Sequence, residues 1–218
     1  MKVEFIEARY NEKVVLPIVL IKRLPKELAL FTTVQFIESI DSIKKQLEKE
    51  GIKVKLYKVK HTQYKGQLLG CSIEKFNSSN FLYIGDGQFH PKALLLKNPK
   101  AKVFVFNPMN KKFSIINEKE IILWLKRKKG ALLRFMTSSE VGILISTKPG
   151  QNNMNEALKL KKKFPEKNLY FFVFDTLNFE ELENFPFVEC FVNTACPRIA
   201  YDDTNKIRKP VLNLEDIE

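Results

Sequence analysis

FLYIGDGQFHPKALLL, residues 81–96, reads as a strand that runs into a glycine turn and leaves it as a short helix. The same alternation extends from it in both directions. Upstream, Leu28–Phe36 (LALFTTVQF) is expected as a strand, followed by a helix capped by Ser39 or Asp41 and running through Glu50. Ile40, Ile43 and Leu47 fall on one face of that helix, Gly51 stops it, and Lys53–Lys58 alternates as a further strand. Residues 3–8 (VEFIEA) read as a short strand with nothing before it, so the chain opens in mid-pattern and an upstream element is expected. Downstream, KVFVFNP (102–108) is a strand and residues 118–136 form a long helix around Trp124. A second cycle follows. Strand VGILIST (141–147), turn PGQNN (149–153) and helix Asn155–Phe164 lead to strand NLYFFVFD (168–175), short helix FEELENF (179–185) and strand VECFVN (188–193).

Such alternation predicts an α/β protein of two similar small domains with mainly parallel sheets. The boundary is placed near residues 113–118, giving expected domains at 11–116 and 117–218. In sheets of this kind ligands gather at the carboxyl ends of the strands. Cys71 and Cys196 would both sit there, each just past a turn, in what reads as a weak internal repeat.

A chain of 218 residues with 44% hydrophobic content and 18 phenylalanines can bury a substantial core. The formal charge of +12, from 37 basic and 25 acidic residues, favours an anionic partner such as RNA, a ribosome-associated factor or an acidic protein surface. The lysines are scattered, however, and no arginine cluster or basic tail concentrates them, so an ordinary lysine-rich surface explains the charge as well. The longest apolar stretch, Val14 to Ile21, contains Pro17 and is too short to span a bilayer. MKVEFIEARY places acids where a signal peptide needs an apolar segment, and the expected location is the cytoplasm.

Three cysteines in such a chain do not suggest a disulfide framework. Cys71 follows Gly66 and Gly70 in GQLLGC; it is either a buried small side chain or a thiol that a ligand can approach closely. Cys196 precedes Pro197, which stiffens its turn, and Arg198, which could lower the thiol pKa or bind an anion. Cys190 lies within a strand and reads as packing. No CxxC spacing marks a zinc site, and neither GxGxxG nor GxxxxGK[ST] is present. His90, at a strand-to-helix turn, suits an anionic group or simply packs against Phe89 as a helix cap. STKPGQNN (146–153) is a second polar turn that could hold a carboxylate, ribose or phosphate, or be a solvated loop.

As a set, GQLLGC (66–71), YIGDGQFHP (83–91), STKPGQ (146–151) and FVNTACPRIAYDD (191–203) resemble, in order and spacing, the archaeal diphthamide synthases. The resemblance covers roughly residues 3–212. It implies a pseudo-repeat of three similar α/β domains, each giving one cysteine to a 4Fe–4S cluster with an open iron for S-adenosylmethionine. It implies cleavage of the cofactor's Cγ–S bond, with radical transfer of a 3-amino-3-carboxypropyl group to an imidazole C2 in translation elongation factor 2. Thiolates suit such a cluster. Carried over by position, Cys71 and Cys196 are ligands and Cys190 is not. Gln67, Gly85, Asp86, Gly87, Gln88, His90, Thr147, Lys148, Gln151 and Arg198 match segments that line the cofactor cleft.

This chain departs from the family in having no cysteine before Cys71, and its residues 1–10 match only the last strand of the first domain. One expectation is therefore the C-terminal part of a split synthase, with a separate chain supplying the first domain and third cysteine. The alternatives are a non-catalytic scaffold or electron-relay subunit, and a cofactor-free basic module that binds the translation machinery. The catalytic reading brings an electron-donor protein and a homo- or hetero-oligomer, with no membrane and no direct nucleic-acid contact.

Overall fold

The computed structural model describes residue 4 and residues 6–71 and 74–217. The chain divides into two compact units, Met1–Ile122 and Leu123–Glu218. Both are α/β with mainly parallel sheets.

The first unit holds α1 (Ile18–Ile21), β1 (Glu27–Thr32), α2 (Ile40–Lys49), β2 (Lys53–Lys55), β3 (Asn80–Ile84), α3 (Phe89–Lys97), β4 (Lys102–Phe106) and β5 (Phe113–Ile116). Its sheet order is β2-β1-β3-β4-β5, and only β5 is antiparallel to its neighbour. β1 and β3 are central and covered on both faces, which is why LALF and FLYI are continuous apolar runs rather than alternating ones. Leu28, Leu30, Leu82 and Ile84 pack against Ile40, Ile43 and Leu47, the expected face of α2. Gly51 ends that helix at φ +75°.

Several boundaries differ from the sequence expectation. β1 stops at Thr32, whose hydroxyl donates to Ile84 O at 2.7 Å; Val34–Ser39 is a 3-10 helix that buries Phe36 in the core. The expected strand at 53–58 shrinks to Lys53–Lys55, because β1 offers it only Glu27–Ala29 as partners. Of residues 3–8, Val3 and Phe5 lie outside the described residues, and residues 4 and 6–8 form no strand. β5 was not legible: it is four residues long and leaves Ile115 exposed.

The second unit follows α4 (Ile122–Thr137) with β6 (Glu140–Ser146), α5 (Met154–Lys163), β7 (Asn168–Phe174), β8 (Cys190–Asn193), α6 (Ile199–Asp202) and β9 (Val211–Asn213). The helix expected from residue 118 begins at Ile122, and Glu118–Glu120 is a 3-10 turn in which the Asn117 side chain accepts from Lys119 N–H. Residues of FEELENF form a 3-10 helix, Glu180–Asn184. The four strands are all parallel, in the order β7-β6-β8-β9. One face buries Val141, Ile143, Cys190, Val192 and Leu212 with Phe135 and Leu160; the other buries Leu144, Phe191 and Val211 with Leu182.

The two sheets repeat one winding. In each, the first strand is interior, the second forms an edge beside it, and the third and fourth follow on the other side. The cysteines do not follow this repeat. Cys71 lies between the second and third strands of its unit, whereas Cys196 follows the third. The topological counterpart of the Cys196 turn is GDGQFHP after β3. Among the described residues no helix is long and apolar enough to cross a membrane.

Candidate functional site

Two loops leave the carboxyl end of the first sheet. Gly66–Leu68 runs beside the end of β1: Thr32 N–H donates to Gly66 O at 2.8 Å, and Leu68 N–H to Thr32 O at 2.7 Å. Gly66 has φ +79°, and a β-carbon there would stand 2.2 Å from Ile40 Cδ1, so turn and packing both require glycine. Gln67 is buried, and its Oε1 accepts from the N–H groups of Gln63 and Tyr64 at 2.9 and 3.1 Å, closing its own loop. Cys71, just beyond, is exposed.

The other loop is GDGQFHP. Gly85 brings the backbone against Tyr83, whose hydroxyl would lie 2.5 Å from a β-carbon at that position. Gly87, at φ +62°, faces open space, and Asp86, Gly87 and Gln88 are exposed. Gln88 precedes α3, so His90 is the second residue of the helix rather than its cap. Its ring lies nearly parallel to Tyr83 at 6.0 Å and edge-on to Phe89 at 5.3 Å. Among the described residues the buried Tyr83 hydroxyl has no hydrogen-bond partner, and burial, then Asp86, pushes its pKa above that of an ordinary phenol. Phe89 joins the two loops, since its ring fills the space that a β-carbon of Gly70 would need. The small size of Gly70 thus admits an aromatic ring rather than a ligand.

In the second unit the turn after β6 is exposed around Thr147, Pro149 and Gly150. Lys148 N–H donates to Ser146 Oγ at 3.1 Å, Gln151 N–H to Lys148 O at 3.0 Å, and Gly150 takes φ +77° with open space before it. Thr147 Oγ1 lies 3.4 Å from Asp175 Oδ1, and Lys148 Nζ 3.3 Å from Thr176 Oγ1.

Cys196 is half-buried, just past the carboxyl end of β8. Asn193 Nδ2 donates to Cys196 O at 2.8 Å, and Asn213 Nδ2 to Pro197 O at 3.0 Å. Arg198, 4% exposed, gives Nε and Nη2 to Asp202 at 2.7 and 3.0 Å and lays its guanidinium 5.2 Å from the Trp124 ring centre. This bidentate pair and cation–π contact make the charge of Arg198 an anchor for the loop. Cys190 differs from both other thiols. It is fully buried, and burial pushes its pKa up.

Sequence reading picked out both accessible thiols and both glycine turns. It passed over Tyr83, Asn153 and Asn213, and gave Phe89 and Trp124 no part in the site beyond packing on His90 and centring a helix. Asn193, a polar residue ending the apolar run CFVN, was the available signal, since a buried amide at a strand end needs partners. Among the described residues, no group of three or more His, Cys, Asp or Glu side chains converges on a metal position.

Sheet winding, turns and thiols together define a repeated α/β protein with two accessible cysteines in its loops. A family model described as "Putative diphthamide synthesis protein" matches residues 2–218, and the chain belongs to this family. It is 35% identical over 205 residues to the 2-(3-amino-3-carboxypropyl)histidine synthase of Pyrococcus horikoshii, covering 91% of this chain and 58% of that protein. It is 29% identical over 195 residues to 2-(3-amino-3-carboxypropyl)histidine synthase subunit 1 of Candida albicans, covering 85% of this chain and 45% of that one. The chain thus spans about half the length of the curated relatives it matches. A solved structure described as Dph2 from Pyrococcus horikoshii with a 4Fe-4S cluster superposes with a TM-score of 0.75 at 32% identity. That superposition covers 92% of this chain and 58% of that one. Both of these curated relatives are named as synthases, and the Pyrococcus structure is described with a 4Fe-4S cluster.

Proposed function

We propose that this chain is the C-terminal part of a 2-(3-amino-3-carboxypropyl)histidine synthase, acting on a histidine of translation elongation factor 2. Cys71 and Cys196 would be thiolate ligands of a 4Fe–4S cluster. The observation that carries the reading is the division among the three thiols: Cys196 follows the carboxyl end of β8, Cys71 lies exposed in the loop that passes the end of β1, and Cys190 is sealed in the core. When bound, such a cluster would supply the electron that cleaves the Cγ–S bond of S-adenosylmethionine.

The remaining work falls to this chain's own residues. Gly87 and Gly150 leave open backbone that a ligand can approach closely. Asp86 in the first of these turns and Lys148 in the second are assigned, by the family resemblance, to the segments that bind the cofactor. Gly85, Gln88, His90, Thr147 and Gln151 complete those turns, Gln67 closes the loop that leads to Cys71, and Arg198 anchors the loop of Cys196. Residues 11–116 and 117–218 are assigned as the second and third of three domains, with residues 1–10 as the end of the first. Since Cys190 is buried, the third thiolate must come from outside these three cysteines, on another polypeptide segment. The test is to combine the chain anaerobically with a family first domain, iron and sulfide, and to assay cleavage of S-adenosylmethionine. Cleavage lost on Cys71→Ala or Cys196→Ala supports the reading. A complemented pair that never cleaves the cofactor leaves the chain a scaffold.

A further inference from the structure

We propose that three asparagines, Asn153, Asn193 and Asn213, strap the Cys196 loop into the posture of an iron ligand before any metal arrives. This rests on the reading of Cys196 as a ligand.

The bonds converge on one short segment from three parts of the second unit. Asn193, 2% exposed at the end of β8, accepts at Oδ1 from Ala195 N–H at 3.1 Å, while its Nδ2 donates to Cys196 O at 2.8 Å. The same Nδ2 lies 2.8 Å from Oδ1 of Asn213, its neighbour across the β8–β9 register. Asn213, equally buried, donates its Nδ2 to Pro197 O at 3.0 Å. From the turn before α5, Asn153 Nδ2 donates to Thr194 O at 2.6 Å. The carbonyls of residues 194, 196 and 197 are thus each held by a side-chain amide, and the N–H of residue 195 by an amide oxygen.

Residue type follows from the task. A carboxamide offers two N–H donors and an acceptor without charge; a carboxylate would set oxygen against carbonyl oxygen, and a hydroxyl has one proton to give. Regular sheet pairing of β8 with β9 ends at Asn193–Asn213, so the strap starts where the ladder can no longer hold the chain. With the 194–195 peptide pinned ahead of Cys196 and the 196–197 peptide pinned after it, the direction of its Cα–Cβ bond is restricted, and the sulfur has its χ1 wells to choose among. Partners that orient a metal ligand in this way tune its affinity as well as its position.

The experiment uses the full chain, without metal and after anaerobic loading with iron and sulfide. Cys196 alkylation and hydrogen exchange over residues 194–199 are followed in Asn213→Ala, Asn153→Ala and the near-isosteric Asn213→Asp. Release of the strap should raise both rates roughly tenfold. Cys71 should be unchanged and Cys190 unlabelled, which distinguishes loss of the strap from general unfolding. The loaded variants should also lose iron faster than the unsubstituted chain. Native rates of labelling and exchange in all three variants would overturn the strap. If Asn213→Ala also exposes Cys190, the comparison passes to Asn213→Asp and Asn153→Ala, read in the same way. A Cys196→Ala chain that holds as much iron as the native one would instead overturn the ligand reading, and the inference with it.

Discussion

The ring of Phe89 occupies the space that a β-carbon of Gly70 would need: its nearest atom would lie 1.8 Å away. This contact joins the turn that carries Cys71 to the GDGQFHP turn after β3, on the two sides of that strand in the chain. Gly70→Ala should therefore displace one turn or the other, at a cost of about 1–3 kcal/mol. Phe89→Ala should remove most of that penalty, so the two changes will be strongly non-additive in a double-mutant cycle read by urea midpoint. Additive costs would mean the turns are not coupled through this ring.

Thiol chemistry should separate the three cysteines. At neutral pH, iodoacetamide should modify Cys71 and Cys196 in the folded chain and leave Cys190 intact, because burial both raises its pKa and blocks access. The chain alone should load iron and sulfide only partially. Cys71→Ala and Cys196→Ala should each abolish the brown charge-transfer absorption, whereas Cys190→Ala should keep it and cost about 1 kcal/mol of core packing. Loss of the cluster on Cys190→Ala alone would overturn the ligand assignment.

Arg198 is nearly buried while its partner Asp202 is about a third exposed. Asp202→Asn should leave a guanidinium poorly compensated in the protein interior. The expected loss is about 2 kcal/mol, less than for a fully buried pair because water reaches the carboxylate. Arg198→Met, which keeps length and the contact with Trp124, should cost less. Thermal unfolding of the two variants decides the order.

Glu189 gives the second unit an acid-sensitive anchor. Its carboxylate accepts from Glu140 and Ser139 N–H at 3.1 and 2.7 Å and meets Arg134 at 2.7 Å. The backbone donors, first that of Glu140 and then that of Ser139, hold its pKa below the usual glutamate value. The folded protein therefore binds this proton less readily than the unfolded chain does. The stabilisation is fully present above the unfolded glutamate pKa and disappears as pH falls through the lower folded value. Glu189→Gln should flatten the acid limb of the urea midpoint plotted against pH, and an unchanged limb would assign the acid sensitivity elsewhere.

Local signals placed most elements and misjudged their ends. The face of α2 was legible from Ile40, Ile43 and Leu47, and the strand–turn–helix at 81–96 from its apolar run and paired glycines. TTVQF looked like more strand because its residues favour one, but only the pairing of Thr32 with the end of β3 could show where β1 stops. β5 and β9, of four and three residues, carry too little periodicity to be seen in isolation. At the site, Cys71 and Cys196 stood out through their turn context, yet nothing local gave the packing of Phe89 on Gly70 or the bond from Asn153 to Thr194.

By itself the sequence determined the α/β class, the two cycles of alternation and the thiols in the turns, because periodicity and turn chemistry act over a few neighbouring residues. Tertiary structure alone decided how deeply Cys190 is sealed, which charge anchors a loop and which amides hold Cys196. These depend on burial and on hydrogen bonds such as Asn213 to Pro197 and Asn153 to Thr194, whose partners meet only when the strands are wound into one sheet.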